Sequence, residues 1–432
     1  MESRVGRPLD HDAPHCLYLE TAPERTPWPR LTGDQRAEVV VIGAGYTGLS
    51  AALHLAEAGV DVCLLEAHEP GFGAAGRNGG QVNAGLKHEP EDIRRRFGEH
   101  RGRRLIEAAG KAPDYLFRLI DRLGIQCDGR REGTLRAAYR ASDIDALHQS
   151  ARQWRDHGAS LDILDAAEIR RRTGSAHYLA GLFDPRGGSV QPLSLARGLA
   201  VAAHQIGVRI HADSPATHLA RRGSDWHVKS TAGSVFTKRV ILATDGYSDH
   251  LWPSLSQSIV PIYSAMVATE PLSPELSERV LPGGGVLYES GAVTVYYRKS
   301  KDGRLLMGGR GRQWTMNRQA SYRHLADYVP RLWPDLNGIR FTHWWNGQFA
   351  LTPDFYPRIH APADNLFIGL GYSGRGVAMG TVIGAELARA ANGTPLDDIV
   401  LPSSAIEPIP FHRFWRVGVE LKVAWEGIKA RL

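Results

Sequence analysis

The run VVVIGAGYTGLSAALHLAEAGVDVCLLE, residues 39–66, constrains this chain more than any other feature. VVVI is continuously apolar, as a parallel strand buried on both faces must be. It runs into three glycines, Gly43, Gly45 and Gly48, and then into an alanine-rich helix. Gly43 permits the sharp turn out of the strand. Gly45 lets a pyrophosphate approach the backbone, and Gly48 lets the helix pack closely on the sheet. The free N–H groups and positive dipole end of the helix start suit phosphate. A second strand, VDVCLLE, ends in Glu66, about 20 residues past the loop, where a ribose-binding carboxylate belongs. Glycine spacing alone is a weak signal; strand, loop, helix, strand and acid in this order are a strong one.

With 432 residues, 43% of them hydrophobic, the chain can bury one large core or two interleaved lobes. No apolar run reaches the roughly 18 residues of a membrane span, and the start MESRVGRPLDHD does not have the pattern of a secretory signal. Cys16, Cys63 and Cys127 are scattered, which fits a reducing cytoplasm better than a disulfide framework. The net charge is +6, but the arginines fall in short helical groups mixed with acids, as in 94–104. They read as solvated helix faces that attract anionic cofactors or substrates, with no nucleic-acid interface expected. His11 and His15 have i,i+4 spacing, but Pro14 opposes a helix there, so no metal site is expected.

Periodicity gives an interleaved layout. Residues 1–36 read as an N-terminal arm, and helical patterns dominate from 90 to 173. Strand signals return in VRIHAD, DWHVKST and FTKRVILATDG, and become dense in IVPIYSAMVATEP, GAVTVYYRKS and RLLMGGRG. A helix is expected at 319–329, a strand at NLFIGLG, and a glycine-led helix after it, ended by Gly393. The tail FHRFWRVGVELKVAWEGIKARL has a basic, aromatic amphipathic pattern. Packing on the enzyme body is expected of it, with contact to a quinone-bearing membrane the less favoured reading.

Nicotinamide and flavin dinucleotides share the first unit, and two further stretches separate them. GFGAAGRNGGQ (71–81) replaces the strand–helix unit that a nicotinamide enzyme carries at this point. There Arg77 can lie near the pyrophosphate, and the N–H groups of Gly79 and Gly80 can face a flat ring. Far along the chain, GYSGRGVAMG (371–380) again runs from a strand through glycines into a helix. That helix start can point its dipole at the pyrimidine edge of a flavin, favouring the reduced form.

GAGYTG, Glu66, GAAGRNGGQ, ALTPDFYPRI and GYSGRGVAMG together resemble the glycine/D-amino-acid oxidase superfamily of FAD enzymes. Within it the chain resembles the gamma-glutamylputrescine oxidoreductase group over nearly its whole length. The resemblance implies an α/β protein with a Rossmann-like FAD-binding lobe. The second, α+β substrate lobe is built on a large mixed sheet, and both lobes are discontinuous in sequence. The expected division is 37–90, 175–250 and 355–395 for the FAD lobe and 91–174 and 251–354 for the substrate lobe, with 396–432 as a tail. The resemblance places Gly43, Gly45, Tyr46, Thr47 and Gly48 on the ADP half and Glu66, followed by Ala67, on the adenosine ribose. Arg77, Asn78, Gly79, Gly80 and Gln81 would run toward the flavin, and Ala216 with Thr217 would meet the adenine. Ala243 and Thr244 would close over the cofactor, and Gly371, Tyr372, Ser373, Gly374 and Gly376 would face the isoalloxazine.

Three positions depart from relatives. Ala75 stands where serine is frequent. Gly347 stands where covalent flavin oxidases carry a cysteine, five residues before Thr352, so noncovalent FAD is expected. Met307 stands where such oxidases set a lysine over the flavin, which keeps both oxygen and a quinone-type carrier open as electron acceptor.

Members of this group oxidise a C–N bond. Hydride leaves the α-carbon of a neutral amine for flavin N5, and the imine then hydrolyses to an aldehyde or keto product. No general base is assigned, because a desolvated amine loses its proton readily. Alternation in GAVTVYYRKS sets Val293, Val295 and Tyr297 on one face and Thr294, Tyr296 and Arg298 on the other. Tyr263, Tyr297, His343 and Trp345 are candidates for an aromatic wall around an alkylamine, or for plain sheet packing. Arg298 and Arg310 are candidates to hold a substrate carboxylate, or surface arginines. The competing readings are an amino- or imino-acid oxidase or dehydrogenase of the same fold, and a flavin-binding subunit without turnover.

Overall fold

The computed structural model describes residues 15–291, 295–311, 313, 316 and 318–429. Residues 1–14 of the N-terminal arm, with His11 and Pro14, lie outside the described residues, as do Val293 and Thr294.

Two eight-stranded sheets carry the architecture. In the first, six strands follow the order Arg358–Ala363, Leu366–Leu370, Gly233–Leu242, Gly33–Ile42, Val62–Leu65 and Arg209–His211. All neighbours are parallel except the first pair. Two more strands, His218–Arg222 and Asp225–Lys229, extend Gly233–Leu242 as an antiparallel ribbon. The apolar run has its expected cause: Val39 and Val41 enter one core, Val40 and Ile42 the other. From Ile42 the chain passes through helix Tyr46–Glu57 to Val62–Leu65, while Gly233–Leu242 pairs on the opposite side. Gly43 therefore stands where the strand order reverses, the place at which open parallel sheets bind ligands.

Helix Tyr46–Glu57 lies against helix Gly376–Ala391 at very short range. Gly376, Gly380 and Gly384 recur at four-residue steps. A Cβ on Gly384 would stand 2.4 Å from the Thr47 carbonyl oxygen, and one on Gly380 would stand 3.3 Å from Thr47 Oγ1. Ser50 Oγ donates to the Thr381 carbonyl at 2.7 Å. Small residues thus hold together the two helices that begin at the first and third glycine segments.

The second sheet runs Phe341–Leu351, Val260–Pro271, Arg304–Arg310, Tyr296–Lys299, Val286–Glu289, Thr134–Ala138, Ala180–Asp184 and Asp162–Leu164. Only Val286–Glu289 and Thr134–Ala138 pair in parallel. One face meets Tyr18 and Leu193 through Met266, Leu306 and Trp345. The other is covered by short helical segments through Leu325, Leu332 and Trp333.

Two stretches cross the expected lobe boundaries. Helix Pro90–Leu123 packs on Gly376–Ala391 and joins the core below the first sheet, so it belongs with that sheet. Strand Ala180–Asp184 pairs with Thr134–Ala138 in the second sheet. The helical pattern over 90–173 also hides the strands Thr134–Ala138 and Asp162–Leu164, of 5 and 3 residues, too short to show a period. The expected helix at 319–329 is broken into a 3-10 turn, Gln319–Tyr322, and two four-residue helices, Arg323–Ala326 and Val329–Leu332. Pro330, in the first turn of the second, can start a helix but cannot continue one.

The tail forms helix Trp415–Lys429. Phe411, Phe414, Val417, Leu421 and Trp425 are exposed along it. No helix among the described residues is long and apolar enough to cross a membrane. The three cysteines are buried and unpaired.

Candidate cofactor and substrate site

The glycines of the first loop have different physical causes. Gly43 has φ +104, and a Cβ there would lie 2.8 Å from the Ala243 carbonyl oxygen. Ala243 crosses over it, donating its N–H to Ile42 at 2.9 Å. A Cβ on Gly48 would fall 1.8 Å from the Gly43 carbonyl oxygen. Gly45 is constrained by neither: its φ is −83, and the atom nearest to an added Cβ is Ala75 Cβ at 3.8 Å. It precedes a helix start that has no side-chain cap. Protein packing explains Gly43 and Gly48, whereas the open space over Gly45, beside uncapped N–H groups, fits a phosphate.

Glu66 closes this unit. Its two carboxylate oxygens accept the N–H groups of Ala44 at 2.7 Å and His68 at 3.0 Å. Burial raises its pKa above the usual carboxylate range, against the pull of these hydrogen bonds. Each oxygen keeps a lone pair for a ribose hydroxyl. Ala67 is exposed beside it. The Glu66 backbone binds His211 and Ser214, which leads the chain to half-buried Ala216 and exposed Thr217 at the same sheet edge.

The second glycine segment is braced from the second sheet. Trp345 Nε1 donates to the Arg77 carbonyl at 3.0 Å. Asn78 Nδ2 donates to the carbonyls of Ala74 and Ala75, both at 3.0 Å, and Asn78 Oδ1 accepts from Gly80 N at 2.8 Å, so its amide folds the loop on itself. A Cβ on Gly79 would lie 2.4 Å from the Tyr296 ring. Gln81 Nε2 donates to the Leu287 carbonyl at 2.8 Å. The Arg77 side chain is 9% exposed, stacks over Phe72 at 4.5 Å, and has no carboxylate partner among the described residues. A buried cation without a counter-charge calls for an anion, and a pyrophosphate-bearing cofactor supplies one.

The third segment joins the first through Tyr372, whose hydroxyl lies 2.5 Å from Thr47 Oγ1. Gly371 and Gly374 have φ +81 and +86, and Ser373 has φ +51. Helix Gly376–Ala391 starts here without a side-chain cap. Asp245, next to Ala243 and Thr244, fixes the segment: its oxygens accept Gly371 N at 2.8 Å and Ala350 N at 3.2 Å. One carboxylate therefore links the strand ends of both sheets. Asp245→Ala leaves two N–H groups unpaired and is expected to destabilise the protein by about 3 kcal/mol, read by denaturant unfolding.

The candidate substrate residues do not share one pocket. Tyr297 points to the helix-covered face, donating to Tyr178 Oη at 2.9 Å, and Tyr178 in turn donates to Glu289 at 3.0 Å. Burial raises Glu289 to about 7. Trp345 faces the opposite side, edge-on to Tyr18 with centroids 4.9 Å apart. His343 Nε2 lies 3.1 Å from Glu20. Tyr263 is half-buried. Arg298 is neither a surface residue nor free. Buried, it donates through Nε to Gly79 O at 2.8 Å, through Nη1 to Lys299 O and through Nη2 to Tyr18 Oη, both at 3.3 Å. It scaffolds the second glycine segment. Arg310 Nη2 reaches the Val419 carbonyl in the tail helix at 3.2 Å. The expected place of Met307 over the flavin is corrected: it packs with Tyr297 on the far face, while Leu306 and Gly308 face Tyr296 and Met266. A shift of one residue along a strand reverses the side-chain direction.

Sequence reasoning missed Asp245 and Lys87. For Asp245 the signal was an Asp-Gly pair directly at a strand end. Lys87 had no pattern around it, yet its Cε lies 3.8 Å from the position of a Cβ on Gly374.

The family profile described as DAO, FAD dependent oxidoreductase, matches residues 38–390. The chain is 32% identical to the probable oxidoreductase OrdL of Rhizobium meliloti, covering 96% of this chain and 97% of the relative. It is also 32% identical to the gamma-glutamylputrescine oxidoreductase of Escherichia coli, over 87% of this chain and 88% of the relative. Its fold is similar to that of glycine oxidase from Geobacillus kaustophilus, with a TM-score of 0.72 at 19% identity, covering 84% of this chain and 96% of that one.

Proposed function

This chain belongs to the DAO family of FAD-dependent oxidoreductases, and from that premise we propose that it oxidises a C–N bond in a small amine of the gamma-glutamylputrescine type. The likeness to gamma-glutamylputrescine oxidoreductase over most of both chains carries the reading. In it, the backbone of 43–48, with Tyr46 and Thr47, holds the ADP half, and Glu66 the ribose. Ala216 and Thr217 border the adenine, and Ala243 with Thr244 crosses over the cofactor. The segments 77–81 and 371–376 flank the ring. Bound FAD supplies a two-electron acceptor for hydride.

The chain's own part is to orient the amine, exclude water and hold it neutral, since a low-dielectric site disfavours the ammonium form. The imine product hydrolyses in water, and the electrons pass to oxygen or a quinone-type carrier. FAD is held without a covalent bond through position 347: a side chain on Gly347 would meet Arg77 Cβ at 3.0 Å, and no thiol stands there. Acid precipitation is expected to leave the yellow colour in the supernatant; colour retained in the pellet contradicts this.

The test of the function is anaerobic mixing of the yellow protein with gamma-glutamyl amines, polyamines and N-methylated amino acids. Bleaching by gamma-glutamyl amines supports the reading, and bleaching by N-methylglycine alone selects the amino-acid reading. Absence of bleaching with every compound points to a non-catalytic flavoprotein. Recovery of colour on admitting air tests oxygen as acceptor.

A further inference from the structure

We propose that Lys87 and Arg375, backed by Arg136, form a subsite for the α-amino-acid head group of the amine substrate, at the end remote from the reacting nitrogen. The inference rests on the amine-oxidation reading and names the substrate class more closely.

A cavity opens between strands Thr134–Ala138 and Val286–Glu289 and the loop before helix Gly376–Ala391. Its walls include Asn83, Thr134, Arg136, Tyr288 and Arg375. Lys87 stands beside it next to Gly374, within the third glycine segment. Arg375 lies over the Tyr288 ring at 5.2 Å and donates to its hydroxyl at 3.3 Å. Two acids, Glu89 and Asp184, also line the cavity, and both are already engaged. Glu89 accepts from Arg136 at 3.1 Å and from Ser150 at 2.8 Å, and Asp184 holds Arg186 through both oxygens at 2.9 and 2.7 Å. No carboxylate among the described residues pairs with Lys87 or Arg375. Desolvation, and then Arg375 and Arg136, lower the Lys87 ammonium to about 8, although the residue as a whole is exposed. An anion placed among these groups relieves that repulsion.

The cavity also holds acceptors that lack donors. Thr134 Oγ1 and Asn83 Oδ1 are buried without a hydrogen-bond partner, and both residues border the cavity; Thr134 is only 4% exposed. An α-amino-acid head group answers both demands, carboxylate toward the cations and ammonium toward the orphan oxygens. An amine joined to the side-chain carboxyl of glutamate keeps such a head group. An unsubstituted polyamine, cationic at every end, is repelled.

The test is isothermal titration of FAD-loaded protein with L-glutamine and with 4-aminobutanamide, the same molecule without the α-carboxylate. The wild-type protein is expected to bind L-glutamine at least tenfold more tightly. Lys87→Met is expected to remove that preference and Lys87→Arg to keep most of it, with FAD content and Tm unchanged in both. Equal affinity of the wild type for the two compounds, a preference that survives Lys87→Met, or loss of FAD from Lys87→Met would each overturn the proposal. The readout is binding and does not require turnover. Selective binding in a protein that no amine bleaches contradicts the oxidation reading and supports the subsite.

Discussion

Gly45→Ala is expected to leave the apoprotein folded while weakening its hold on FAD at least tenfold. The protein leaves room for the extra methyl group: its nearest neighbour would be Ala75 Cβ at 3.8 Å, and φ is −83. Glycine and alanine at a helix N-cap typically differ by about 1 kcal/mol, a shift of a few degrees in Tm. The same methyl group occupies the space where a phosphate meets the helix N–H groups. Loss of one charge-assisted hydrogen bond, about 1.5–3 kcal/mol, is tenfold or more in affinity. Gly48→Ala differs in its effect on stability. Its Cβ would fall 1.8 Å from the Gly43 carbonyl oxygen, so the strand–helix turn itself must move. Overpacking of that kind costs about 1–3 kcal/mol or more, and both Tm and FAD binding are expected to fall. Differential scanning calorimetry of the apoproteins, with FAD affinity from flavin fluorescence quenching, separates the two. If Gly45→Ala binds FAD as tightly as the wild type, the phosphate does not lie against this loop.

Arg77→Met carries the second large effect: FAD affinity falls while Tm does not. The side chain is buried beside Phe72 with no carboxylate partner among the described residues. Such a charge destabilises the apoprotein, so an uncharged side chain of similar length is expected to leave its Tm unchanged or higher. The loop keeps its place, because Trp345 holds the backbone carbonyl of residue 77 and Asn78 holds the turn. FAD affinity is expected to fall about a hundredfold, the equivalent of roughly 3 kcal/mol for a lost buried charge-assisted contact. A fall in both Tm and affinity would make Arg77 a structural residue instead.

The first half of the candidate cofactor site was legible because strand, turn and helix each restrict residue type. Gly43 and Gly48 answer to backbone contacts that only glycine permits, and the run 39–42 answers to a sheet buried on both faces. The opening residues of Gly33–Ile42 were not legible as strand: they are polar, and pairing with Gly233–Leu242 along their whole length extends them. The substrate side was poorly legible for a different reason. Alternation correctly set Tyr297 and Arg298 on opposite faces, but nothing local says which face meets the cofactor. Arg298 looked like an anion clamp or a surface charge because its real partners, Gly79 and Tyr18, lie 219 and 280 residues away. Lys87 and Thr134 have the same difficulty: their surroundings are made by three distant stretches of chain.

The central claim is that three glycine segments, far apart in sequence, close on one FAD. Titration of the apoprotein with FAD, followed by flavin fluorescence, tests it most directly. The account predicts saturation at one FAD per chain, with the curve shifted to higher FAD by Gly45→Ala and by Arg77→Met. An apoprotein that is folded by calorimetry yet takes up no FAD, or variants whose curves overlay the wild type, would contradict it.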